Sequence, residues 1–247
     1  MDLKNILTSA FIFTSFFAQS CGVPTESDSV SAGPITSSSA VALRQSDRQP
    51  TNAFEVRQLP DAVSVAVPKE GWQWMSGSQA QALDTNSEAR LSNLGQSPQP
   101  GDNIVLIAGN AFDSAGHSIA TIRVSKRHAT SISQKQVRDG YRDSPEEVRQ
   151  AAISLAQESV DLMQRVRGMQ YYRLVDSGVQ ENTSLTCMWS KFEYDAGGGD
   201  MISDTWICPM ESGSLKLSTS YSKRFRNLYA DTIEYVWRSL IAKAESA

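Results

Sequence analysis

From Leu185 to Met210 the chain reads LTCMWSKFEYD-AGGG-DMISDTWICPM, two runs of apolar and aromatic residues on either side of a glycine cluster. That pattern predicts a β-hairpin. Folding it about the AGGG tip sets position i opposite position 395 − i, so Cys187 meets Cys208 and Trp189 meets Trp206. Directly opposed residues of an antiparallel pair bring their Cβ atoms close enough for an S–S bond, so the register predicts a cross-strand disulfide. A bulge near the tip would shift it by one.

The remaining pattern gives further elements. Ala62 to Val67 alternates and ends at Pro68, and Gly71-Trp72-Gln73-Trp74 continues extended with both indoles on one side. Ser78 to Leu94 has helical spacing with Gly95 as a stop, while Asp102–Ala108 and Ile119–Val124 read as strands joined by a loop from Gly109 to Gly116. Ser133–Tyr141 reads as a short helix. Ser144-Pro145-Glu146-Glu147 has the form of a capping box with proline at the first helical position, opening a long helix with Val148, Ala152, Leu155, Ser159, Leu162 and Val166 on one face and Gly168 at its end. Met169–Val175 and Ser214–Tyr221 read as strands around the central hairpin. The last helix is capped by Asn227 and carries a stripe of Tyr229, Ile233, Val236, Trp237, Leu240 and Ile241. Strands joined by short turns, with helices before and after, imply an α+β fold: an antiparallel sheet packed by helices, an α/β/α sandwich.

The first fifty residues have another character. Lys4, the apolar stretch Ile6–Phe17 and the small-x-small triplet Ala18-Gln19-Ser20 form a signal-peptide pattern ahead of Cys21. Two processing routes fit, cleavage by an ordinary signal peptidase or lipid attachment at Cys21. A bacterial lipobox usually has Leu and then Ala or Ser where this chain has Ala18 and Gln19, yet pairing Cys187 with Cys208 leaves Cys21 as the odd cysteine. Residues 21–53 are rich in Ser, Thr, Gln and Asp with scarcely an aromatic, which predicts a flexible linker. The expected organisation is a signal peptide over 1–20, a linker over 21–53 and one domain over 54–247. It implies an exported protein: periplasmic or an outer-membrane-associated lipoprotein in a bacterium, secreted otherwise, with a membrane contact through the lipid where Cys21 is modified.

A length of 247 residues, 40% hydrophobic and 20% charged, suits one medium domain with tails. The formal net charge of −4 argues against a nucleic-acid partner, which would call for a basic surface. With 2 His and 3 Cys, a structural zinc site is not expected.

Catalytic patterns are scarce. The chain has no G-x-S-x-G elbow, Walker loop, dinucleotide fingerprint or H-E-x-x-H pair. Asp113, Ser114 and His117 lie too close along the chain for triad geometry and read as a solvated turn. Asp84–Glu88 begins like a calcium loop but lacks the later glycine and glutamate. Gly197–Gly199 could cradle an anion, though a hairpin tip calls for glycine anyway. No catalytic residue, metal or cofactor is assigned. Candidate interaction residues are Trp189 and Trp206, as aromatic anchors or as core, and the basic run Arg123, Lys126, Arg127 and His128, as a docking patch or a solvated strand edge.

VSVAVPKEGWQW (Val63–Trp74), the helix after Ser144 and the ending LSTSYSKRFRNLYADTIEYVWRSLIA (Leu217–Ala242) together resemble the PsbP-like fold family. That family includes the photosystem II extrinsic protein P, a Ran-binding nuclear import factor and bacterial envelope lipoproteins such as DcrB. The resemblance spans Phe54–Ala242 and has no shared catalytic residues to carry over. It implies a role in protein interaction or assembly, here with another envelope protein. The competing expectation is an envelope enzyme or small-ligand carrier with a pocket between sheet and helix.

Overall fold

A computed structural model describes residues 53–82, 103–127, 132–166, 169–195, 197–210 and 213–242. The signal-peptide pattern, Cys21, the linker, His128, Gly168 and the 84–88 segment lie outside them. So does the 83–94 part of the helix expected from Ser78, of which a turn at 78–82 is described.

Among the described residues ten strands form two sheets. The strands are β1 (Phe54–Leu59), β2 (Val63–Pro68), β3 (Trp72–Met75), β4 (Asn103–Phe112), β5 (Ser118–Arg127), β6 (Tyr171–Glu181), β7 (Thr186–Asp195), β8 (Asp200–Met210), β9 (Gly213–Ser222) and β10 (Ile241–Ala242). The large sheet runs β3-β4-β5-β9-β8-β7-β6, with every neighbouring pair antiparallel. The small one is β1-β2-β10. The helices are α1 (Gln134–Asp143), α2 (Pro145–Met163) and α3 (Arg226–Ser239).

One excursion explains the strand order. After β5 the chain leaves the sheet, crosses through α1 and α2 to the far edge, and returns by the meander β6-β7-β8-β9, whose last strand closes against β5. The crossing spans four strand positions, about 19 Å at the usual spacing. The 19-residue α2 covers about 28 Å at the helical rise, which is ample.

Strand alternation then makes two cores. On one face, Met188 and Ile207 pack with Val137 and Leu155, while Tyr172, Phe192, Tyr194 and Met201 pack with Ala156, Val160 and Met163 of α2. On the other, Trp206, Leu217, Ile122 and Val124 meet Val63, Val65 and Val67 of β2 and Tyr229, Ile233, Val236 and Trp237 of α3. The chain is thus α+β with helices on both faces of an antiparallel sheet.

The central hairpin has the register read from its symmetry: Trp189 pairs with Trp206 and Asp195 with Asp200. Cys187 and Cys208 form a disulfide and both are fully buried. Trp206 stacks on Trp237 at 5.2 Å and donates to Gln180 Oε1 at 2.8 Å.

Several boundaries differ from the sequence reading. β1 was not expected as a strand. β4 runs through Phe112, so the loop to β5 shrinks to Asp113–His117, and β6 extends to Glu181 because the β6–β7 turn is tight around Asn182. The capping box sits one helix earlier than expected: Ser133 accepts from Gln136 N and Gln136 Oε1 accepts from Ser133 N. Ser144 makes no side-chain cap; it closes α1 instead, its backbone N–H donating to Gly140 O. Asn227 lies inside α3, whose N-cap is Phe225. The helix stops at Ser239, so Leu240 and Ile241 leave its stripe. Asn182 Nδ2 donates to the carbonyls of Trp237 and Leu240, satisfying helix-end acceptors, and Ile241 turns into β10, half exposed.

Two outcomes are expected in urea unfolding. Ser133→Ala lowers stability by about 1 kcal/mol while Ser144→Ala leaves it nearly unchanged. Replacing both Cys187 and Cys208 with Ala costs about 3 kcal/mol through the released 21-residue loop, with far-ultraviolet circular dichroism preserved in the folded fraction.

Candidate functional site

Two features stand out from the core packing, a cleft at one end of the large sheet and a row of tryptophans along its margin. The cleft forms where the β4–β5 loop, the β7–β8 tip and the end of β9 come together, because β9 threads between β5 and β8. It has a volume of about 890 Å³. Asn110, Phe112, Ile119, Tyr194, Met201 and Ser222 line it, with Asp113, His117, Lys223, Arg224 and the Gly197–Gly199 tip also on its walls.

Each wall loop is held by a carboxylate acting as a turn cap. Asp113 Oδ1 accepts from the backbone N–H of Ala115 and of His117, both at 2.9 Å, and Gly116 takes the positive φ of +82° that the tight loop requires. Those hydrogen bonds hold the Asp113 carboxyl below its ordinary pKa, helped by His117. Its Oδ2 faces His117 Nδ1 at 3.4 Å and Arg224 at 3.6 Å. Asp195 Oδ1 accepts from Gly197 N and Gly199 N in the same manner. Asp113 and His117 therefore build a turn rather than a catalytic pair, and the glycine tip spends two of its N–H groups on its own cap. Lys223 pairs with Glu193, which also pairs with Arg173. Those partners lower the Glu193 pKa, the Arg173 hydrogen bond most.

The tryptophan row lies on β3, the outermost strand. Trp72 and Trp74 stack at 5.7 Å, and Trp72 meets Tyr229 of α3 edge-on at 5.9 Å. Trp74 donates to Pro68 O at 3.0 Å and carries the Arg57 guanidinium over its ring at 5.4 Å. Opposite it stands Gly109, where a Cβ would come within 2.4 Å of the indole, so only glycine leaves the ring its seat. Phe54 and Tyr235 form a further ring pair at 4.3 Å. Trp72 and Trp74 are half-buried.

The candidate interaction residues do not form one patch. Trp206 and Arg123 are buried, at 2% and 4% exposure. Lys126 is on the opposite face from Arg123, as a period of two dictates, and its Nζ pairs at 2.8 Å with Asp61, a left-handed residue of the β1–β2 turn. Arg127, at the strand end, is half-buried. Trp189 stays half-exposed. Its indole N–H donates to Asp204 at 3.1 Å and the Lys191 ammonium lies over its ring at 5.6 Å. Asp204 is buried, with Lys191 Nζ at 3.5 Å, and burial pushes its carboxyl pKa up against the opposing pull of Lys191 and Trp189.

Sequence reading singled out Asp113, His117 and the glycine tip one by one. Their common cleft, with Asn110, Lys223 and Arg224, needed the β5–β9–β8 adjacency to be seen. Among the described residues no three His, Cys, Asp or Glu side chains converge as a metal site, and no helix is long and apolar enough to cross a membrane.

No protein-family model and no curated protein matches the chain. Solved structures do. The fold is similar to that of PsbP. The solution structure of cyanobacterial PsbP from Synechocystis sp. PCC 6803 gives a TM-score of 0.47 at 9% identity, over 80% of this chain and 98% of that one. LpqN, involved in cell envelope biogenesis of Mycobacterium tuberculosis, gives 0.41 at 12% identity, over 72% and 82%. The immunity protein TplEi of Pseudomonas aeruginosa gives 0.34 at 10% identity, over 75% and 76%. At such identities the likeness extends to neither activity nor partner.

Asp204 sets a pH dependence with a definite sign. Its folded pKa lies above the ordinary 3.8, so between the two values the folded state holds the proton more tightly and this group's contribution falls as pH rises. Asp204→Asn keeps an acceptor for the Trp189 indole and removes that titration. Compared by urea melts from acid to neutral pH, wild type should lose stability relative to the variant as pH rises.

Proposed function

We propose that the chain is an exported cell-envelope protein, lipid-anchored through Cys21, whose domain binds another protein through the Trp72–Trp74 row. The row carries the reading. Two stacked indoles sit half-exposed on an outer strand, fixed by Arg57, Pro68 O, Tyr229 and the bare backbone of Gly109. Rigid tryptophans held in place lose little entropy on docking, and such residues supply much of the energy of protein interfaces. The buried disulfide supports the compartment, since such bonds persist where the surroundings oxidise. In the cleft, Asp113 is committed to a turn and an ion pair, which favours binding over acid–base catalysis.

A photo-crosslinking residue at exposed Ser76, two positions past Trp74 at the end of the row, should capture one envelope protein. Trp72→Ala should weaken that capture by about thirtyfold, the size of a typical hot-spot loss. Undiminished capture by the folded variant would remove the row from the interface. In the same cells Cys21→Ser should move the protein out of the detergent phase; unchanged partitioning would exclude the lipid anchor.

A further inference from the structure

We propose that the cleft at the hairpin-tip end is a second binding site, independent of the tryptophan row, for a neutral hydroxyl-rich ligand, a sugar or short glycan. Its lining holds a buried polar atom without a partner. Asn110 lines the cleft at 9% exposure, and its Oδ1 is buried without a hydrogen-bond partner. Buried polar groups are nearly always paired, so an orphan in the lining of a roomy cleft points to a ligand. A hydroxyl answers it in either orientation of the amide, because it both donates and accepts.

The walls narrow the class. The cations on them are paired within the protein, Lys223 with Glu193 and Arg224 with Asp113. An anion would have to displace those carboxylates, and a cation would meet the paired ammonium and guanidinium groups. A neutral ligand meets neither cost. The paired side chains keep spare N–H donors for hydroxyl oxygens, since an ammonium has three and a guanidinium five. Apolar surface is present too. Phe112 is 38% exposed, and Ile119 and Met201 join it in the lining, as the C–H face of a sugar ring requires. The volume of about 890 Å³ is within the range of small-molecule sites and takes more than a single ring.

Asn110→Leu separates a ligand role from a structural one. It keeps the forked heavy-atom shape of the side chain and deletes the unpaired acceptor, so the melting temperature should hold or rise while binding falls at least tenfold. Maltotriose and chitotriose, titrated calorimetrically into the purified full chain, probe free glycans, and co-sedimentation with insoluble peptidoglycan probes the polymer. Gly198→Trp gives a second variant. A Cβ at Gly198 meets open space, so the fold should survive while the indole crowds the cleft and binding drops. Binding by either trisaccharide or by the polymer, lost in both variants, supports the site and names its source. No binding to any of the three, binding untouched by Asn110→Leu, or tighter binding of a sulfated glycan than of a neutral one would overturn it.

Discussion

The antiparallel register of β7 against β8 is the constraint on which the molecule rests. With Trp189 opposite Trp206, one set of side chains faces α3 and the other faces α2. A slip of one residue would send Met188 and Phe192 into the wrong core and separate Cys187 from Cys208. The bond between those cysteines locks the register covalently at the end remote from the glycine tip. The tip can then be shaped by its own cap, Asp195 over Gly197 and Gly199, without steering the strands.

That register was readable because the hairpin is symmetric about its tip and one pair of cysteines fits one sum. Other features were not readable, for local reasons. Ser144-Pro145-Glu146-Glu147 satisfies the capping pattern, but its serine already terminates the preceding helix, with φ −145° and ψ 66°, and cannot also face the next one. The working box is Ser-x-x-Gln at Ser133, ahead of the short helix read over Ser133–Tyr141, where a glutamine rather than a glutamate closes it. The Arg123–Arg127 run looked like a patch because its residues are neighbours in sequence. In a strand, neighbours point apart, and Arg123 and Lys126 end up on opposite faces.

The cleft was hidden for a topological reason. Its walls come from positions 110–119, 194–201 and 222–224, which meet only because the chain returns from the far edge and inserts β9 beside β5. Periodicity reports which residues are buried, never which strands are neighbours. The tryptophan row is intermediate: the i, i+2 spacing of Trp72 and Trp74 was visible, whereas the seat beneath Trp74 depended on Gly109 in a partner strand.

The far edge of the large sheet has one more property. β6 is eleven residues long and, among the described residues, pairs on one side only, against β7. A straight, apolar edge of that length would template the addition of further strands. Here the ladder is interrupted between Leu174 and Asp176, and charged Arg173, Asp176 and Glu181 are set along it. The kink gives a twist that a flat incoming strand cannot follow, and the charges would lose water on pairing. The strand that receives the chain after its long crossing thus also carries the features that disfavour a further strand on the sheet.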